Sequence, residues 1–204
     1  MASDPYGELK NVDSEADLVE KAIHKGCKMR GVACGVVKLL SKNNVEDLKS
    51  ALATSAPFHV FHYCGHSEHR TTGEGATLTV RAKDNSAVQI TARQIRLWFE
   101  RKGISFAFLN SCEGSSPIHA SHSCELHLGL VEALLGAGIP NILSYRCSVS
   151  SLAARELACK FYEYLFKDRP GDISHALYLA RKDAETAPET RNASVFSMFV
   201  SQLP

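Results

Sequence analysis

Between residues 58 and 63, and again between 104 and 109, the chain is apolar, unbroken by charge, and followed at once by small and polar residues. Runs of that length and composition predict fully buried strands of a parallel sheet. Around them the apolar spacing changes to that of a helix. Leu18, Val19, Ala22 and Ile23 make one face of a segment that Ser14 is expected to cap and Gly26 to close. The β-branched stretch 31–40 predicts another strand, and Asn44 caps a helix carrying Val45, Leu48, Ala51 and Leu52. The first 13 residues are polar, with Pro5 and Gly7, and read as a loop.

After residue 69 the pattern turns to short strands at 76–80 and 87–90, joined as a hairpin through Lys83-Asp84-Asn85. Thr91 and Gln94 have the spacing of a capping box for a helix bearing Ile95, Trp98 and Phe99. Further along, a loop at 115–123, a helix at 126–137, a strand at 139–145, two long helices at 152–167 and 173–187 and a last strand at 195–203 complete the chain. Strands alternating with helices predict one α/β domain, a mostly parallel sheet with helices on both faces.

Composition narrows the function classes. With 204 residues and a net charge of +1, there is no basic stripe that would fit nucleic acid. No apolar run reaches the roughly 18 residues of a transmembrane helix, so no membrane association is expected. Seven cysteines, an odd number without paired spacing, point to a reducing compartment, and the expected location is cytoplasmic.

The two buried runs end in the residues with most chemical interest. The first leads through Cys64-Gly65 to His66-Ser67, the second through Asn110-Ser111 to Cys112-Glu113-Gly114. Ligands of open α/β sheets bind beyond the carboxyl ends of the strands. If the two strands are neighbours, His66 and Cys112 meet across one crevice as a base and a thiol, the pairing that generates a thiolate nucleophile. The plainer reading is that Cys112 is one of seven small core hydrophobes and His66 a hydrogen-bonded loop histidine. Zinc is a candidate for two groups, the first being His59, His62, Cys64, His66 and His69. In the first, strand alternation sets His62 and Cys64 on one face and His59 and Tyr63 on the other, which works against a single ligand set. In the second, His119, His122, Cys124 and His127 lie closer together. No cofactor and no metal is assigned.

These motifs resemble those of the CHAT domain, a branch of the caspase-like cysteine peptidases that include legumain, separase and the gingipains. The resemblance is carried in order by Phe-His-Val-Phe-His-Tyr-Cys-Gly-His at 58–66, Phe-Leu-Asn-Ser-Cys-Glu-Gly at 108–114, Gly-Leu-Val-Glu-Ala-Leu-Leu-Gly-Ala-Gly-Ile-Pro-Asn-Ile at 129–142, and the helices holding Lys160-Phe161-Tyr162, Ala176-Leu177 and Ala180-Arg181. It implies a caspase-like three-layer sandwich and peptide-bond hydrolysis, with His66 and Cys112 as the dyad and the backbone amides of Ser67 and Cys112 as oxyanion donors. Where this family usually has glycine after the histidine, Ser67 stands here. The family also begins with a strand for which residues 1–13 hold no apolar run, so the chain reads as cut from a longer protein.

The resemblance further implies a substrate pocket built by loops after the strands, which makes Glu113, Tyr145, Arg146 and Ser148 candidates. Glu113 would favour a basic residue before the cut and Arg146 an acidic one. Relatives that cut after Arg or Lys often carry an acid just before the nucleophile, a place held here by Asn110 and Ser111. The resulting expectation is an endopeptidase acting on a protein substrate, switched by an attached module or partner protein, in signalling or defence. A catalytically silent scaffold of the same fold is the alternative, and a zinc-dependent interaction domain a third.

Overall fold

The structure is a computed structural model of the chain, and it describes residues 1–9, 11–54, 57–70, 75–111, 123–145, 149–186 and 188–201. Its centre is a five-stranded sheet. Strand β1 (Ala2–Ser3) pairs in parallel with β2 (Val60–Gly65), β2 with β6 (Phe106–Ser111), and β6 with β7 (Asn141–Tyr145); β8 (Ser197–Ser201) closes the far edge antiparallel to β7. Every residue of β6 is buried, as a strand covered on both faces must be. The two expected strands are therefore immediate neighbours.

Strand alternation divides the core into two layers. Phe61, Tyr63, Ala107, Leu109 and Ile142 face one side, where they pack with α2 (Val45–Leu52), α3 (Ala92–Phe99) and α4 (Ser123–Gly136). Phe106, Phe108, Leu143 and Tyr145 face the other side, against α1 (Val12–Met29), α5 (Ser151–Leu165) and α6 (Ile173–Glu185). This is the helix, sheet, helix sandwich expected from the sequence. A second sheet of three antiparallel strands, β3 (Ser67–Arg70), β4 (Gly75–Arg81) and β5 (Ala87–Thr91), grows directly out of β2 and packs on α4. The short helix α7 (Arg191–Phe196) leads into β8.

Local chemistry explains the boundaries. Asn44 caps α2 in a reciprocal box with Asp47, and Thr91 with Gln94 does the same for α3. Several expectations are corrected. Residues 31–40 form no strand; this stretch runs as irregular chain, held by the Ala2 amide on the Leu39 carbonyl and by Lys38, which pairs with Asp17 and Glu20 at 2.7 Å each. The leading strand, absent from the hydrophobic pattern, is present as β1, two residues long. Its shortness is why no apolar run announces it. Ser14 does not cap α1: the helix starts earlier, after Asn11, and Ser14 Oγ donates back to the Asn11 carbonyl. Nor does Gly26 end it. A Cβ at Gly26 would sit 2.2 Å from the Phe166 ring, so this glycine admits a close helix contact and the helix continues to Met29. The last strand begins at Ser197 rather than 195 because α7 runs to Phe196.

Candidate active site

The register of β2 on β6 sets Gly65 opposite Ser111, and that of β1 on β2 sets Ser3 opposite Gly65. The sheet thus stops in one row, Ser3, Gly65, Ser111. The next residues in the chain are Asp4, His66 and Cys112. Cys112, Glu113, Arg146 and Ser148 lie outside the described residues, as do His119 and His122, while Cys124 and His127 fall within α4.

His66 is fixed from three directions. Its Nε2 is 3.2 Å from Asp4 Oδ1, the two side chains being 6% and 7% exposed. Its backbone carbonyl accepts the Thr79 amide at 2.9 Å and the Tyr63 hydroxyl at 2.7 Å. The Tyr6 ring meets the imidazole edge-on at 5.3 Å between centroids. Asp4 is itself held: Oδ1 accepts the Glu8 amide at 3.1 Å and Oδ2 the Leu9 amide at 2.9 Å, so the loop from β1 into α1 presents its carboxylate rigidly. Arg81 anchors that loop from β4, donating to the carbonyls of Asp4 and Ser41 at 3.3 and 2.8 Å.

Gly65 makes the arrangement possible. A Cβ there would fall 2.5 Å from the Ser3 carbonyl oxygen and 2.5 Å from the Tyr63 hydroxyl, so only glycine lets Tyr63 fold back beneath the strand end. Tyr63 also reaches the Thr79 carbonyl at 2.8 Å, and burial pushes its phenol well above the ordinary value. The hydroxyl therefore stays a donor that ties β2 to β4.

Among the described residues, five buried side-chain polar atoms have no hydrogen-bond partner: Ser3 Oγ, Ser67 Oγ, Asn110 Oδ1, Ser111 Oγ and Arg155 Nε. The first four sit within two positions of Asp4, His66 or Cys112. Buried polar groups are nearly always paired, because an unmet one costs about 1–3 kcal/mol. Four of the five are concentrated at one end of the sheet.

Tyr145 occupies a different environment. It is fully buried, packs 6.3 Å from Phe108 between centroids, and points its hydroxyl at the Ala154 carbonyl, 3.4 Å away, on the side of α5. On that same side, beneath the strand ends, lies a polar cluster that joins Glu15 and Asn110 to His62. His62 Nε2 is 2.8 Å from Glu15 Oε1 and its Nδ1 3.2 Å from the Tyr162 hydroxyl, while Asn110 Nδ2 donates to Glu15 Oε1 at 2.5 Å. Burial holds the His62 imidazole below its ordinary value. His62 and Cys64 share this face as alternation requires, with Tyr63 on the other.

The family model of the CHAT domain matches residues 2–199, nearly the whole chain. The chain belongs to the CHAT-domain family. CHAT domains have a caspase-like fold and are often cysteine peptidases, which agrees with the sandwich and with a site at the carboxyl ends of β2 and β6. No curated protein shows significant similarity to this CHAT domain. Among the described residues, none of its helices is long and apolar enough to cross a membrane.

Asp4 and Tyr6 are the residues that sequence reasoning missed. Both stand in a loop without periodicity, and only the pairing of β1 with β2 brings them to His66.

Proposed function

We propose that this CHAT domain is a cysteine endopeptidase in which Cys112 is the nucleophile and His66 the general acid and base. The observation that carries the reading is the hold on His66 by Asp4, at the end of the strand whose register partner runs into Cys112. With Nε2 engaged by a carboxylate, Nδ1 is the nitrogen that serves the thiol, and Asp4 is a positioning residue for that orientation.

In the reaction, His66 takes the thiol proton as Cys112 sulfur attacks the scissile carbonyl. The amides of Ser67 and Cys112 hold the oxyanion, His66 protonates the leaving amine, and water activated by His66 then releases the acyl group. Glu113, Arg146 and Ser148 are the proposed pocket residues; Tyr145, fully buried against Phe108 and α5, is not among them. The domain works in the cytoplasm, with an attached module or partner protein as its switch.

One observation favours the silent-scaffold reading. His66 is only 4% exposed, and Tyr6, itself 49% exposed, leans on it. In the peptidase reading the Tyr6 loop moves aside when substrate is admitted. Digestion of a peptide library with the wild-type domain and with Cys112→Ala separates the two: wild-type-only cleavage with a consistent residue before the cut supports the peptidase, and identical blank digests, with and without candidate partner modules, support the scaffold.

A further inference from the structure

On the face of the sheet covered by α1 and α5, three side chains bring together oxygen, nitrogen and sulfur donors. Glu15 comes from α1, and His62 and Cys64 from alternate positions of β2; one donor atom of each lies within 4.8 Å of the others. The Glu15 and His62 side chains are 4% and 8% exposed, and Cys64 is 1% exposed. We propose that Glu15, His62 and Cys64 form a structural zinc site beneath the ends of β2 and β6.

The donor set is that of zinc, a borderline-soft ion that accepts thiolate, imidazole and carboxylate together. The surroundings fit as well as the ligands. A zinc-bound imidazole ordinarily gives its second nitrogen to an oxygen partner, and His62 Nδ1 has Tyr162 Oη at 3.2 Å, leaving Nε2 for the metal. A ligating carboxylate is ordinarily hydrogen-bonded too, and Asn110 Nδ2 meets Glu15 Oε1 at 2.5 Å. The other atom of the same amide, Asn110 Oδ1, is buried without a partner. In the proposed site it is the fourth ligand of a tetrahedron and its second oxygen, beside one donor atom each of Glu15, His62 and Cys64. In the metal-free arrangement Glu15 and His62 are hydrogen-bonded at 2.8 Å. Zinc ligands stand about 3.3 Å apart, so the two groups separate by roughly half an ångström on binding.

A carboxylate, an imidazole and a thiol removed from water carry a desolvation cost that a divalent ion offsets. All three donor side chains are buried, with Glu15 supplied by α1, so the ion is captured as the chain folds. The proposal is independent of whether the dyad above it turns over.

The test is metal analysis of protein expressed in zinc-supplemented medium, followed by addition of cobalt chloride alone to the chelator-stripped chain. About one zinc per chain and a thiolate-to-cobalt absorption band in the near ultraviolet are expected. Cys64→Ser removes the band, whereas Cys112→Ser and Cys124→Ser keep it. Glu15→Gln, which preserves shape and thiol, weakens zinc at least about tenfold in competition with a chromogenic chelator, and this serves if Cys64→Ser fails to fold. Zinc below about a tenth of an equivalent with no cobalt band, a band that follows Cys112 or Cys124, or unchanged affinity in Glu15→Gln overturns the proposal.

Discussion

His66 Nε2 lies 3.2 Å from Asp4 Oδ1, joining the loop after β1 to the end of β2 across 62 residues of chain. The contact fixes which edge of the imidazole is free for chemistry. Asp4→Ala is expected to lower kcat by about 10- to 100-fold, a part of the hundred- to ten-thousandfold that general acid and base catalysis supplies, with KM little changed. Asp4→Asn keeps one oxygen, enough for the loop amide of Glu8 or of Leu9 but not both, so it should melt a few degrees below wild type and still lose activity. Steady-state kinetics beside thermal melts check both, and an Asn variant with full kcat would remove Asp4 from the mechanism.

Gly65 is the second constraint. Its absent Cβ leaves room for the Ser3 carbonyl and the Tyr63 hydroxyl, each 2.5 Å from where that atom would stand. Gly65→Ala therefore forces the strand end or the tyrosine to shift, at a cost of about 1–3 kcal/mol. Chemical denaturation should show the lower midpoint. Because the displaced Tyr63 hydroxyl donates to the His66 carbonyl, activity should fall further than the unfolded fraction explains.

Two other thiols define the background against which Cys112 reacts. Burial, reinforced by the Cys34 thiol, pushes Cys27 up to about 11, and burial pushes Cys159 up to about 12. A raised value keeps the thiol protonated below it, and thiolate falls tenfold for each pH unit. Near neutral pH roughly one in a thousand or fewer of either group is thiolate. Iodoacetamide labelling of Cys27 and Cys159, read by peptide mass spectrometry, should rise about tenfold per unit from pH 7 to 10. A pH-independent rate at either would contradict the burial assigned to it.

The regular parts of the fold were legible because their causes are local. The buried strands, the Asn44 cap, the Thr91–Gln94 capping box and the sandwich follow from apolar periodicity and from side chains that reach their own helix ends. What was illegible depends on distant partners. Gly26 looks like a helix stop until Phe166 is seen lying against it, and residues 31–40 have strand composition without a neighbouring strand to pair with. At the candidate site, the two strands that lead to His66 and Cys112 could be read from the chain, and their adjacency stood there only as a condition. Asp4, Tyr6 and Glu15 could not, since each joins through a helix or loop whose own pattern has no reason to signal it. β3 was hidden for the same reason: Ser67–Arg70 is polar and extended only through its ladder with β4.

The dyad is tested most directly by incubating the purified domain near neutral pH with a peptidyl acyloxymethyl ketone and mapping the adduct by tandem mass spectrometry. The account predicts one adduct, on Cys112, formed well ahead of any on the other six cysteines, and slowed at least about a hundredfold by His66→Ala. Slow, even alkylation across the cysteines, unchanged when His66 is removed, would contradict it.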